Sequence, residues 1–366
     1  MKSKVSLNDV ARHAGVSIGT ASRVLNGNPK VSESACHAVQ TAILELGYQP
    51  DSAARSMRKK EAEGRNGLWS GNVGLVLAGM GSSMLHVPLV IDLVDTLQWE
   101  MTRQGFHLMV SELSGDSTLP QMLIDRKVEG MIVFGELSTM QGRWIADSMP
   151  VVGIGNNFST LGIPSVNVDN RQSILNAVNE LHRAGRRRIA FVNREPGQLD
   201  FARRYAAYQE AVHEFGLPEL AAVMPQTAQV PLKQAEQVPP DMTPLIAQLF
   251  DGTEIPDALL VANDWQAIGV YRALAKRGLR PGTDLAVIGF DNEVRICESL
   301  QPRLSSIQYP AHEIARTAFR LLQNALRSPD TIGASSTLLP GKLVERDSFR
   351  MASDSETGTH PGRSTP

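Results

Sequence analysis

The residues that could do chemistry in this chain sit at none of the spacings that catalysis needs. Gly79-Met80-Gly81-Ser82-Ser83-Met84 and Gly153-Ile154-Gly155-Asn156-Asn157-Phe158 each lack the third glycine of a dinucleotide fingerprint. No Gly-Lys-Ser/Thr phosphate loop occurs, and no Gly-x-Ser-x-Gly turn exposes a nucleophilic serine. His312-Glu313 would open a zinc-binding helix only with a second histidine at 316, where the chain has Arg316. Cys36 and Cys297 are the only cysteines and lie far apart, which excludes a disulfide framework and a cysteine-rich zinc site. No catalytic residue, cofactor or metal is therefore expected. What remains is charge. Residues 1–60 hold nine Lys and Arg against four Asp and Glu, a net +5, while the rest of the chain carries a net −7. A basic head on an acidic body suggests that the head meets a polyanion and the body does something else.

The elements that would position such a head are three short helical patterns between residues 5 and 48. The first follows Ser6 and carries Leu7, Val10, Ala11 and Ala14; Gly15 breaks it. The second starts after Ser17, a good N-cap, and runs through Ala21, Val24 and Leu25. Asn26-Gly27-Asn28-Pro29 is a loop by turn chemistry, and the third pattern starts at Ser32 and stops at Gly47. Helix, glycine-containing turn, helix is the arrangement of a helix-turn-helix. Its second helix enters the major groove by its N-terminus, so Ile18, Gly19, Thr20 and Arg23 would face base edges. Ile18 offers only an apolar contact, for instance to a thymine methyl, and Gly19 offers no side chain. The readout then falls more on Arg23, and on Lys30 beyond the loop.

From Val73 the pattern changes to apolar strands at 73–79, 106–111, 129–134, 151–154, 188–193, 257–262 and 284–289. Amphipathic stretches at 88–104, 171–184, 201–215 and 264–277 alternate with them. That alternation predicts an α/β fold with parallel sheet, and its length predicts two similar lobes. The chain has 366 residues, 42% hydrophobic and 20% charged, as a folded multidomain protein should. It has no apolar run long enough to cross a bilayer, no secretory leader and two isolated cysteines, so a cytoplasmic location is expected.

The string Leu7-Asn8-Asp9-Val10-Ala11-Arg12-His13-Ala14-Gly15-Val16-Ser17, with Ser22 to Asn26, Val31-Ser32 and Leu46-Gly47-Tyr48-Gln49-Pro50, closely resembles the head of the lactose-repressor (LacI/GalR) family. The resemblance implies that Ser6, Ser17, Asn26 and Ser32 touch phosphates, although each could equally be a helix cap. Ala53-Ala54-Arg55-Ser56-Met57-Arg58 resembles the family's hinge helix, which pairs with its dimer mate in the minor groove. Ala54 and Met57 would lie there, with Met57 where the family has a leucine wedged into a base step. The alternative for this stretch is a basic linker.

The body resembles the periplasmic-binding-protein-like core of the same family. The cues are Glu129 to Val133, Val168-Asp169-Asn170, Val261-Ala262-Asn263-Asp264 and Val287 to Asn292. Three crossovers between lobes are expected near Asp169, near Asp291 to Tyr309, and near Ser336. The resemblance assigns Arg204, Asn263 and Asp291 to an interlobe cleft that binds a small effector. An aspartate suits vicinal sugar hydroxyls, and an arginine fork suits two neighbouring oxygens. Trp265 is a candidate wall, Tyr309 a candidate from a crossover strand, and Asp264 reads as a helix N-cap. Leu89 and Val90 stand where the family has two aromatic residues. The implied organisation is a helix-turn-helix domain over 1–50, a hinge helix and linker over 51–72, a two-lobed core over 73–346 and a tail over 347–366. The implied function is a transcriptional repressor, a homodimer on a palindromic duplex operator, controlled by a small effector of carbohydrate type, with no membrane partner. The competing reading is a sugar-binding protein or sugar-modifying enzyme with an incidental basic head.

Overall fold

The structure is a computed structural model. It describes residues 5–25, 31–32, 34–35, 38–39, 42, 46, 48, 71–78, 88–113, 121–124, 127–155, 158–225, 238–328 and 333–349. The chain divides into two compact units, Met1–Trp69 and Ser70–Pro366.

In the first unit, helix α1 spans Leu7–His13 and helix α2 spans Ile18–Leu25. Ser6 caps α1 in a reciprocal box: its hydroxyl accepts from the Asp9 amide, and the Asp9 carboxylate accepts from the Ser6 amide at 3.0 Å. Gly15 turns the chain with φ +65°, a left-handed conformation that costs glycine little. Ser17 then accepts from the Thr20 amide at 3.0 Å and starts α2. Residues 34–35, 38–39, 42 and 46 are helical, and Val39 and Ala42 close a small core with Val10, Ala11 and Ala21. The three-helix pattern read from the sequence is present.

The second unit holds two six-stranded sheets. The first is parallel throughout, in the order β11-β5-β4-β3-β1-β2: β1 Asn72–Ala78, β2 His107–Leu113, β3 Gly130–Gly135, β4 Val151–Ile154, β5 Ser165–Asp169 and β11 Ser336–Pro340. The second has the order β12-β10-β9-β8-β6-β7, with β6 Ile189–Asn193, β7 Leu220–Val223, β8 Ala258–Val261, β9 Ala286–Asp291 and β10 Ser305–Gln308. Its edge strand, β12 Lys342–Val344, is antiparallel to β10. Most of these strands are buried on both faces, which is why they read as continuous apolar runs.

Helices cover the sheets. In the first lobe they include α3 Pro88–Thr102, α4 Gln121–Ile124 and α5 Thr139–Ser148. In the second, α6 Asn170–Arg183 packs on α7 Leu199–Glu214, followed by α8 Thr243–Phe250, α9 Asp264–Lys276 and α10 Val294–Ser299. Helix α11, Ala311–Arg327, follows β10 of the second sheet yet packs on α3 and on β3, β4 and β5 of the first. Its inner face is Ile314, Ala315, Ala318, Phe319 and Leu322, with the Phe319 ring edge-on to Phe106 at 5.4 Å.

The chain therefore changes lobe after Asp169, as expected. The second change comes only after Gln308, because β9 and β10 pair within one sheet, so the expected span from Asp291 narrows to its far end. The third was expected near Ser336, but Ser336–Pro340 still pairs with β5, and the return is made at Gly341. The core also runs past 346. Ser348 is fully buried, its hydroxyl donates to the Val287 carbonyl at 2.6 Å, and Phe349 is buried beside it.

Candidate nucleic-acid interface and ligand cleft

Helix α2 divides its residues cleanly. Ala21 is buried in the small core, whereas Ser17, Ile18, Gly19 and Arg23 are exposed and Thr20 is half-buried. Ile18 is 50% exposed, a cost the fold of this unit does not require and a base-facing role would explain. The hydroxyls of Ser6, Ser17 and Ser32 all make capping bonds. Ser6 donates to Asp9 at 2.6 Å, Ser17 shares its hydroxyl with that of Thr20 at 2.9 Å, and Ser32 accepts from the Ala35 amide at 3.4 Å. A capping serine still presents lone pairs to solvent, so phosphate contact is not lost with the cap. Asn26, Lys30, Ala54 and Met57 lie outside the described residues.

The residues expected at the cleft form a polar cluster around Arg204 on α7. Its side chain is 4% exposed and lies over the Phe290 ring, 3.5 Å from guanidinium carbon to centroid. Nε donates to Asn170 Oδ1 at 3.0 Å, Nη1 to the Ala262 carbonyl at 2.6 Å and Nη2 to Asp291 Oδ1 at 3.3 Å. The expected open fork for ligand oxygens is thus already engaged by the protein. Arg204 is a clamp: it ties the start of α6, the end of β8 and the end of β9 to α7. Asp291 is a quarter exposed and sits at φ 103°, and Asn292 follows at φ 54°. An aspartate held in that region stores strain, which marks strand ends that serve a site. Burial raises the Asp291 carboxyl to about 6, with the Arg204 charge pulling against the rise.

The cap expected of Asp264 falls on Asn263. Asn263 is the N-cap of α9, its side chain accepting from the Gln266 amide at 2.9 Å. Asp264, expected as the cap, is instead the first residue of the helix and is buried. It accepts from the Ser306 hydroxyl at 2.6 Å, the Glu293 amide at 2.7 Å and the Cys297 thiol at 3.4 Å. Gly289 makes room for it: a Cβ there would stand 2.1 Å from Asp264 Oδ1. Burial, reinforced by the Asp291 charge, pushes the Asp264 carboxyl up to about 8. Burial likewise pushes up the Cys297 thiol and the Tyr309 hydroxyl, the latter helped by Asp200 and Asp291.

Of the remaining candidates, Trp265 and Leu89 are half-buried and Tyr309 is buried with its amide donating to the Asp291 carbonyl at 3.2 Å. Val90 is fully buried in the core of the lobe, among side chains such as Leu93 and Leu97, and is a packing residue. Two members of the cluster were missed. Asn170 donates to Asp200 Oδ1 at 2.9 Å while accepting from Arg204, so the pair completes a chain Asp200–Asn170–Arg204–Asp291. Asp200 reads locally as an ordinary acid in the first turn of a helix, and Asn170 as the residue after a strand; only the crossover brings them together.

Comparison with known proteins follows this division. Residues 6–51 match the model described as "Bacterial regulatory proteins, lacI family", and residues 178–349 match that of a periplasmic binding protein-like domain. Catabolite control protein A of Priestia megaterium is 30% identical over 358 residues, covering 94% of this chain and 99% of that protein. The HTH-type transcriptional repressor CytR of Escherichia coli K12 is 24% identical over 359 residues, covering 94% and 96%. Among solved structures, a lac repressor dimer bound to operator and an anti-inducer is similar with TM-score 0.63 at 24% identity, covering 94% of this chain and 99% of that one. A complex of the regulator CelR with cellobiose gives TM-score 0.61 at 24% identity over 94% of this chain and 99% of that one. At these identities the structures establish likeness of fold.

Proposed function

The chain belongs to the lacI family of bacterial regulatory proteins, and on that premise we propose that it is a repressor whose hold on a palindromic DNA operator is set by a small carbohydrate-type effector in the cleft. The observation that carries the DNA half is the exposure of Ile18 and Gly19 at the start of the second helix of a basic head, and of Arg23 in its last turn, within the matched residues 6–51. A single such helix reads one half-site, so two copies related by a two-fold axis are needed for a palindrome. The head occupies 1–50, with 51–72 as hinge helix and linker; Lys30 and Asn26 flank the reading helix, and Ala54 and Met57 enter the minor groove. The protein works where the chromosome is, in the cytoplasm, and performs no catalysis.

For the effector half the support is the polar cluster Asp200, Asn170, Arg204 and Asp291, together with Asn263, Trp265, Tyr309 and Leu89. The solved relatives include one in complex with cellobiose and one with bound ribose. Mechanistically, Arg204 joins three segments that end at the cleft, so a ligand that competes for Asp291 or Asn170 alters how those segments are held. Ligand affinity and DNA affinity are then linked as two readouts of one conformational equilibrium. Retention of a palindromic duplex in a gel shift at moderate salt, relieved or strengthened by a sugar that also raises the melting temperature, is the expected result. Binding that is indifferent to DNA sequence would contradict the repressor reading.

A further inference from the structure

The three places where the chain passes between lobes meet at one point. Asp169, at the end of β5, lies opposite Pro340 of β11 in the first sheet. Gln308, at the end of β10, lies opposite Lys342 of β12 in the second. Gly341 is the single residue between those two pairs, and it is buried. A Cβ on it would stand 2.7 Å from the Gln308 carbonyl oxygen, 2.8 Å from Ile307 Cγ2 and 3.3 Å from Ser173 Oγ. The third crossover is thus pressed against the second and against the first turn of α6. Ser173, in that turn, ties them. Its hydroxyl accepts from the Gly341 amide at 2.8 Å and donates to the Asp169 carbonyl at 2.5 Å, one bond to the third crossover and one to the first. The Ser173 side chain is buried, so no water competes for either bond. Asn170, which accepts from Arg204, is three residues earlier on the same helix, so the polar cluster and this tie share one turn of α6.

We propose that Ser173 is a positioning residue, the pin of the hinge: it holds the first and third crossovers together, so that the lobes turn about one point and operator affinity depends on that hydroxyl. Relative movement of two lobes is absorbed by the few residues that cross between them. At the third crossover Pro340 has a fixed φ, and Gly341, by its residue type the freest member of the hinge, is held by Ser173. Without the hydroxyl the buried Gly341 amide loses its acceptor, and the two crossovers shift independently. The balance between lobe arrangements then changes, and with it the affinity of whatever reads one arrangement.

The test compares the full chain with Ser173→Ala and Ser173→Thr, by amide hydrogen exchange and by titration on a palindromic duplex selected by the parent. Only the titration rests on the repressor reading. In Ser173→Ala the Gly341 amide should exchange at least about ten-fold faster, and the first turn of α6 should speed up with it. The amides of β6, Ile189–Asn193, should keep the parent's rates. Operator affinity should move by at least about three-fold, weakening if the pinned arrangement is the one that holds DNA and tightening if it is the other. Ser173→Thr, which keeps the hydroxyl, should restore both readouts. Unchanged exchange at the two crossovers overturns the proposal. So does faster exchange that leaves operator affinity unmoved, since that is a lost bond and no more. A threonine variant that behaves as the alanine one while melting like the parent also overturns it, because the fit of the side chain and not its hydroxyl would then set the hinge. If the parent retains no duplex, the repressor reading fails, and exchange at the first crossover still decides on the pin.

Discussion

Ile18 and Arg23 stand exposed on the helix that carries them, whereas Arg204 and Asp291 are held by their own fold. The second helix of the head owes its stability to other residues: Ser17 caps it, and Ala21 is buried on its inner side, packed with Val10 and Val39. Its outer side chains can change without loosening anything. In the cleft the same side chains that would meet a ligand also tie α6, α7, β8 and β9 together. Specificity in the head is therefore separable from stability, and in the cleft it is not.

The comparison can be broken most forcefully at Arg204. Arg204→Ala leaves Asp291 without its partner; breaking a fully buried pair costs about 3–5 kcal/mol, and with Asp291 a quarter exposed the loss should fall at or below the lower end of that range. Urea unfolding of the second unit's transition should show that loss; a variant as stable as the parent would return Arg204 to the role of an open ligand fork. Asp264 gives the pH form of the same point. Its carboxyl is raised from 3.8 to about 8 in the folded protein, so the native state holds a proton that the unfolded chain releases. That contribution is fully present below about pH 4 and is lost as pH rises towards 8, by a few kcal/mol in order of magnitude. Asp264→Asn should flatten this slope in melting curves taken from pH 4 to 8, and an unchanged slope would show that the group does not carry it. In the head, Arg23→Ala should reduce discrimination between the preferred operator and a single-base variant by about 1–3 kcal/mol, with unchanged melting of the protein. Parallel titrations on the two duplexes check this, and a loss equal on both would make Arg23 a phosphate contact. Ser17→Ala is the smallest effect, about 1 kcal/mol of stability in the first unit from the lost cap. Unfolding monitored in that unit reads it, and no change would mean that water satisfies the Thr20 amide as well as the Ser17 hydroxyl does.

Much of the fold was legible because its signals are local. The Ser6, Gly15 and Ser17 punctuation set the head, and uninterrupted apolar runs such as Ile189–Asn193 and Ala286–Asp291 marked the sheet strands. Helix α11 was not among the helices read from the pattern, although its buried face, Ala311, Ile314, Ala315, Ala318, Phe319, Leu322 and Ala325, stands at helical spacing against a polar outer side. Strands β5, β7, β10, β11 and β12 were passed over too: β5 and β10 carry polar residues within the strand, and β7, β11 and β12 are half-exposed at sheet edges. The cleft was legible as a set of residue types but not as a set of bonds. Nothing near Arg204 in the chain announces that Asn170, Ala262 and Asp291 take its donors, because those partners come from three other elements. Asn263 and Asp264 show the same limit at one-residue scale. Either can cap a helix, and the one that does not is decided by Ser306 and Gly289, far along the chain.

The central claim is that the exposed N-terminal residues of the second helix read DNA sequence. It is tested most directly by selecting bound duplexes from a random library with the full chain and with Ile18→Asn. The account predicts enrichment of one palindromic site, and for the variant a changed base preference confined to symmetry-related positions in the two half-sites, since Ile18 can only meet a methyl and asparagine prefers adenine. No enrichment by the parent chain, or an identical site for the variant, would contradict it.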